Sequence, residues 1–254
     1  MNKIKKFLNR IGLEPDMEIT HTYEFLKQIQ YHAVCSIAYE NLDILEMKPL
    51  ALDTDNLFEK IVEQGRGGYC FEVNGLLAWF LKEVGFSVKE HFARYLRGEE
   101  GIPMRRHRIM TAECADGIFF CDIGIGQTAP RYPLQIVAEK VQTQFGEQYM
   151  FEKDEALGWV LFDLYEGKWR RFISFTEETQ FPVDFIQPSF YCETHPDSVF
   201  NKVPKVAIKT PEGRKSIDNR TYKVFRGTEI IYKEEIADDE RFRVILRREF
   251  NIRK

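Results

Sequence analysis

Gly65-Arg66-Gly67-Gly68-Tyr69-Cys70-Phe71-Glu72-Val73-Asn74-Gly75 is the segment on which the fold of this 254-residue chain turns. Three glycines in four residues permit a backbone path that ordinary side chains resist. Immediately afterwards the spacing becomes helical. The pairs Leu76–Phe80, Leu77–Leu81 and Phe80–Val84 stack four residues apart. Gly85 follows where a left-handed cap would end that helix. A Gly-rich turn thus delivers Cys70 to the first turn of the strongest helix in the chain. The unpaired N–H groups and partial positive charge of a helix N-terminus favour thiolate over thiol. The same N–H groups can stabilise an oxyanion on a carbonyl under attack. Cys70 also reads as a plain buried residue behind a tight turn, the commoner fate of a lone thiol.

On either side the chain divides by its hydrophobic period. Upstream, residues 3–11 form a short amphipathic set, and Tyr23, Leu26 and Ile29 recur at three-residue spacing over 20–33. Asp53 or Asp55 can cap a helix running to Gln64. Downstream of Gly85 the period falls to two. Residues 86–96, 105–112 and 118–125 predict strands, broken at Gly98, at 101–103 and at Asp116-Gly117. Residues 157–164 and 169–173 continue the pattern, whereas 184–195 read as irregular, punctuated by Pro182, Pro188 and Pro196. Short strands are expected at 206–209, 221–225 and 229–232, then a charged amphipathic helix over 238–250. The order is helical, then all-β, then mixed.

Composition bounds the function. With 44% hydrophobic residues, 21 Phe, 11 Tyr and 3 Trp, the chain has ample surface to bury and is not disordered. Lys and Arg total 36 against 40 Asp and Glu, a formal net charge of −4 without the basic excess of a general nucleic-acid binder. No apolar run approaches the ~20 residues of a bilayer span, and residues 1–12 lack the apolar core of a signal peptide. The 5 cysteines are irregularly spaced with no C-x-x-C pair, which argues against a disulfide framework and a zinc site. A soluble, cytoplasmic protein without a metal is the expectation.

A nucleophile needs a base and a group to orient it. His107 and Asp122, on the strands expected at 105–112 and 118–125, are the candidates. Pairing Ala112 with Gly117 around a four-residue loop sets His107 directly opposite Asp122 on one sheet face. A two-residue Asp116-Gly117 turn shifts the register and separates them, and local turn chemistry favours the shorter loop. Plainer readings stay open: His107 is flanked by Arg106 and Arg108 in a basic strand, and Asp122 can brace the turn at 124–126. Of the other histidines, His21 is near a helix start, His32 falls on a helix, and His91 and His195 have no obvious carboxylate in register.

Four motifs in order carry a family resemblance. The segment from Arg66 to Glu72, followed by Asn74-Gly75, closely resembles the nucleophile motif of the arylamine N-acetyltransferases. Upstream, Ile37-Ala38-Tyr39-Glu40-Asn41-Leu42 is similar to that family's (I)PFENL segment. His107-Arg108 and Cys121-Asp122-Ile123-Gly124-Ile125-Gly126 resemble its HR and VDVGFG segments, and Phe250-Asn251-Ile252 resembles its C-terminal ending. The resemblance implies an α+β fold in three parts: a helical domain over 1–85, a central antiparallel β-barrel over 86–195, and an α/β lid over 196–254. Its core is similar to papain-like cysteine enzymes and transglutaminases. Carried over residue by residue, Cys70 is the acetyl-accepting nucleophile, His107 the base and Asp122 the orienter. Acetyl-CoA is the implied co-substrate, and an arylamine, arylhydrazine or N-hydroxyarylamine the acceptor. Glu40 and Arg66 match positions of a bracing charge pair, in which either charge alone would be costly.

The departures also carry expectations. Ile125 stands where the family often has Phe, so that wall of the acceptor pocket is expected to be smaller, with Tyr69 and Phe190 as further lining candidates. Pro103-Met104-Arg105-Arg106 precedes His107, which makes Met104 and Arg105 candidates for contact with CoA phosphates, solvent exposure being the equal alternative. The lid reads as shortened. The expected reaction is a two-step exchange through acetyl-cysteine. The rivals are a cysteine hydrolase or transglutaminase-like enzyme using the same triad, and a binding protein that kept the fold. Neither the physiological amine nor the oligomeric state is written in the sequence.

Overall fold

Caps fix the start of the first helices. In a computed structural model, which describes residues 2–252, α1 (Lys3–Arg10) is capped by Asn2 and α2 (Tyr23–Ser36) by Thr22. Two strand residues, β1 (Tyr39–Glu40), and a single turn, α3 (Leu42–Leu45), follow. Asp53 rather than Asp55 caps α4 (Thr54–Phe58), which runs into a π-helical turn at Glu59–Glu63. The Gly-rich turn then opens α5 (Cys70–Glu83). This helix packs on α1 and α4 and buries Val73, Leu76, Leu77, Phe80 and Leu81 in the core they share, with the Phe7 and Phe80 rings stacked at 4.3 Å. Each such side chain contributes about 1.5–3 kcal/mol on burial. Gly85, at φ +93°, ends the helix in the left-handed cap its position predicts.

The period-two region forms one antiparallel sheet of eight strands. They are β2 (Ser87–Tyr95), β3 (His107–Cys114), β4 (Gly117–Cys121), β5 (Leu134–Gln135), β6 (Gln142–Gln144), β7 (Glu147–Asp154), β8 (Gly158–Tyr165) and β9 (Lys168–Phe175). The order is β5-β4-β3-β2-β9-β8-β7-β6, which leaves β5 and β6 as the edges. Side chains join those edges into a nearly closed barrel. Gln142 Oε1 accepts from Gln135 N at 2.7 Å and its Nε2 donates to Gln135 O at 2.9 Å. Gln144 bonds both backbone groups of Tyr132 in the same manner. Each amide copies the donor and acceptor of a missing strand residue. The interior is filled by Phe120, Phe151, Leu161, Phe172, Ile173 and Phe175.

Residues 184–195, read as irregular, are largely helical: a 3-10 turn at Pro182–Phe185 leads into α6 (Ile186–Thr194). Pro188 is the third residue of α6, within the first turn, where a missing N–H breaks no intrahelical bond. The C-terminal part comprises β10 (Lys205–Lys209), β11 (Gly213–Asp218), β12 (Thr221–Arg226), β13 (Glu229–Glu235) and α7 (Asp239–Glu249). Its sheet has the order β1-β10-β11-β12-β13, so its first strand comes from the helical region. Ile245, Leu246, Phe250 and Ile252 pack on Val206, Ile217 and Tyr222 beneath it. Arg131 ties this sheet to the barrel, donating to Thr210 O and Gly213 O while pairing with Glu147. Among the described residues, no helix is long and apolar enough to cross a membrane.

Candidate active site

Cys70 is the first residue of α5, and only 3% of its surface is exposed. The glycines before it answer to close approach: a Cβ on Gly67 would run into the carbonyl of Ala38. Opposite the thiol, a Cβ on Gly124 would come within 2.7 Å of Cys70 Cα. The loop after β4 therefore lies directly on the backbone of Cys70, and only glycine fits there.

The β3–β4 hairpin brings in the other two groups. Its turn is Ala115-Asp116, with Cys114 paired to Gly117 and Met110 to Cys121. Neither register weighed from the sequence is the one adopted, and β4 ends at Cys121, short of the expected 125. Continued by one step, the register faces Ile109 with Asp122, so His107 and Asp122 are diagonal neighbours on one face. Their side chains close the gap, with His107 Nε2 at 2.7 Å from Asp122 Oδ2. Asp122 Oδ1 accepts from Asn74 Nδ2 at 2.8 Å and from Gly124 N at 2.7 Å, which fixes the carboxylate on both oxygens. Asn74 is one helical turn from Cys70, and its Oδ1 also accepts from Ile123 N at 2.9 Å. Helix spacing alone points to this residue, since i and i+4 share a face. Gln30, whose Oε1 accepts from Asp122 N at 3.3 Å, carries no comparable signal.

Electrostatics follow from this packing. Burial alone would push His107 down, but the charge and hydrogen bond of Asp122, with a hydrogen bond and charge from Cys70, hold it up at about 10. Since Nε2 faces Asp122, Nδ1 is the ring nitrogen left for the thiol. An imidazolium against sulfur is the partner that a thiolate requires.

Two buried charge networks hold the frame. Glu40 Oε1 accepts from Arg66 at 2.7 Å, and Asp43 joins Arg66 at 3.0 Å to Lys60 at 2.7 Å. Lys60 then meets Glu72 at 2.6 Å, whose other oxygen accepts from Tyr69 N at 3.1 Å and so caps α5. Burial lifts Glu72 to about 7 against the pull of Lys60. On the far side of α5, Arg108 pairs with Glu90, donates to Phe71 O at 2.9 Å and stacks 4.3 Å above the Phe185 ring.

A cleft of about 360 Å³ opens onto Cys70 and His107. Ile125 lines it with Tyr39, Tyr95, Val199 and Phe200, and Arg106 and Lys205 are among its cations. The other expected lining residues lie elsewhere. Tyr69 is fully buried, its hydroxyl bonded to Ser189, because the residue before α5 points into the core. Phe190, 65% exposed, faces a separate apolar groove formed with residues 49–53. Met104 and Arg105 line a neighbouring cavity of about 840 Å³ that meets the cleft at Arg106, which lines both. The remaining thiols are unsuited to attack: burial raises Cys35 to about 11 and Cys192 to about 12, and raises Cys114 and Cys121 as well. His91, which burial lowers, is bonded to Thr111 Oγ1 at 3.0 Å.

Comparison with known proteins identifies the family and the fold. The N-acetyltransferase family profile matches residues 22–253. The chain is 33% identical over 233 residues to an arylamine N-acetyltransferase of Mycolicibacterium smegmatis, covering 87% of this chain and 81% of that one. It shares the fold of the enzyme from Salmonella typhimurium, with a TM-score of 0.94 over 99% of this chain and 92% of that one at 24% identity. The Mycobacterium marinum arylamine N-acetyltransferase solved in complex with CoA superposes with a TM-score of 0.90 at 27% identity, over 98% and 92% of the two chains. The chain belongs to the arylamine N-acetyltransferase family.

Proposed function

We propose that this protein transfers acetyl from acetyl-CoA through an acetyl-Cys70 intermediate to arylamines, arylhydrazines or N-hydroxyarylamines. The contact of Cys70 with a His107 already paired to Asp122, inside a cleft, is the observation that carries this reading. The division of labour follows three segments: 1–85 supplies the nucleophile, 86–195 the base and its carboxylate, and 196–254 the lid over the cleft.

His107 acts first as an acid. Cys70 attacks the thioester as the thiolate, the nucleophilic form of a thiol, with the imidazolium of His107 held beside it. The oxyanion finds N–H groups of the first turn of α5, where Glu72 and Val73 already donate to Tyr69 O and those of Cys70 and Phe71 have no intrahelical acceptor. Collapse expels the CoA thiolate, which takes the His107 proton. Acetylation removes the Cys70 charge that helped hold that proton, so the neutral ring is then a base. The amine adds to acetyl-Cys70, gives its proton to His107 and leaves as the amide, restoring the ion pair. A thioester on each side keeps the first step nearly balanced.

Arylamines are largely neutral at pH 7, and the apolar wall of Ile125, Val199 and Phe200 suits them. We assign the CoA phosphates to the arginine-bearing cavity of Met104 and Arg105, which adjoins the cleft at Arg106. A cytoplasmic setting fits five free cysteines, which reducing conditions preserve. The test is CoA release measured against both substrates. Amine-dependent release with parallel double-reciprocal lines is expected. Equal release without amine would assign the site to a hydrolase.

A further inference from the structure

Tyr39 sets a phenol in the cleft that holds Cys70 and His107. Its backbone is fixed on two sides. It pairs with Ala207 of β10, and it bridges Gly68, whose N–H donates to Ala38 O at 3.2 Å and whose carbonyl accepts from Glu40 N at 2.9 Å. Gly68 is two residues from Cys70, so one short stretch of backbone holds both the phenol and the nucleophile. The ring rests against the loop after β4, where a Cβ on Gly126 would meet Tyr39 Cδ1 at 3.4 Å.

Buried tyrosine hydroxyls ordinarily find a partner. In this protein those of the buried Tyr69, Tyr149 and Tyr222 do. Tyr39 differs: the residue is half-buried, and its hydroxyl, which no described residue hydrogen-bonds, is not one of the buried polar atoms left without a partner but belongs to the lining of the open cleft. Burial holds this phenol well above its ordinary value, with the charges of Cys70 and Cys192 adding in the same direction, so it stays a donor at every working pH.

We propose that the Tyr39 hydroxyl is a catalytic hydrogen-bond donor to the oxyanion of both tetrahedral intermediates, acting beside the N–H groups of α5. This rests on the acetyl-transfer reading of Cys70. In the first half-reaction the thiolate adds to the thioester carbonyl, whose electron pair moves onto oxygen and accepts from Tyr39 Oη. Re-formation of the carbonyl expels the CoA thiolate. In the second, the amine adds to acetyl-Cys70, the same oxygen is held again, and Cys70 leaves as thiolate. The phenolic proton remains on Oη throughout.

Tyr39→Phe keeps the ring and its packing while deleting the donor. Three rates are compared with wild type: acetylation of Cys70 by acetyl-CoA in a single turnover, loss of the acetyl group to 4-anisidine, and alkylation by iodoacetamide, which forms no oxyanion. Both acetyl steps should slow by about tenfold or more, with alkylation held within about twofold. Less than tenfold slowing of either acetyl step overturns the assignment. So does alkylation that slows as much as acetylation, since Tyr39 would then act on Cys70 itself. Wild type that takes up no acetyl overturns the underlying transferase reading instead.

Discussion

His107 Nε2 and Asp122 Oδ2 meet at 2.7 Å across a diagonal of the β3–β4 hairpin, not as directly paired residues. A diagonal on one sheet face spans about 7–8 Å between backbones, a distance that an imidazole and a carboxylate bridge with their own length. The contact therefore depends on how firmly Asp122 is held, and Asn74 and Gly124 N hold its second oxygen.

Asp122→Asn should cut acetyl transfer by on the order of 10³–10⁴. It should also slow iodoacetamide alkylation of Cys70 at pH 7, because the imidazolium loses the charge that maintains it. The pH sign follows from His107. Its folded value of about 10 lies above the ordinary imidazole value, so its stabilising contribution is whole below about 6.5 and is lost as pH rises through 10. Urea unfolding across that window should show this loss in wild type and a flatter profile in Asp122→Asn.

Asn74→Ala removes the partner of Ile123 N and the side-chain bond to the Arg108 carbonyl, and leaves Asp122 Oδ1 with Gly124 N alone. A cost of about 2–3 kcal/mol in urea unfolding is expected. Acetylation of Cys70 should slow even where the variant is fully folded, since Asp122 has lost an anchor.

Glu72→Gln tests the charged network beneath the nucleophile. Burial raises Glu72 to about 7, so the folded state binds a proton that the unfolded chain releases from about 4.3 upward. Wild-type stability attributable to this group should be greatest below that value and fall as pH rises to 7. The variant should lack that slope, measured by urea unfolding at pH 5 and pH 7.

Gln144→Ala should open the barrel seam without touching the chemistry. Tyr132 loses its partners for both N–H and C=O, a cost of about 1–3 kcal/mol. Faster hydrogen exchange at the Tyr132 amide, with an unchanged rate of Cys70 acetylation, is the expected pair of results.

Much of this arrangement is legible in the sequence where spacing is strong. The helix from Cys70, its end at Gly85 and the helix capped by Asp238 all follow from period and caps. Cys70, His107 and Asp122 are legible through motif resemblance more than through register, because hairpin turns of two or four residues are both chemically sensible. Asp116-Gly117 looks like the turn, yet the turn lies one residue earlier, at Ala115-Asp116. The segment around Pro188 reads as broken only if the proline is taken as interior to its helix. Three features have no local signature: β1 crossing into the C-terminal sheet, the glutamine amides that close the barrel, and the reach of Gln30 to Asp122. The first and last join residues far apart in the chain, and the glutamine amides close a seam between strand edges that only the assembled barrel brings together, so tertiary packing selects all three. The same holds for Tyr69, whose place before the nucleophile suggests the pocket although its ring turns inward.

The most direct measurement is the intact mass of the protein after acetyl-CoA alone. A gain of about 42 Da located on Cys70, absent in Cys70→Ala and discharged by an arylamine, is the expected result. No gain in wild type, or an equal gain in Cys70→Ala, would contradict transfer through this thiol.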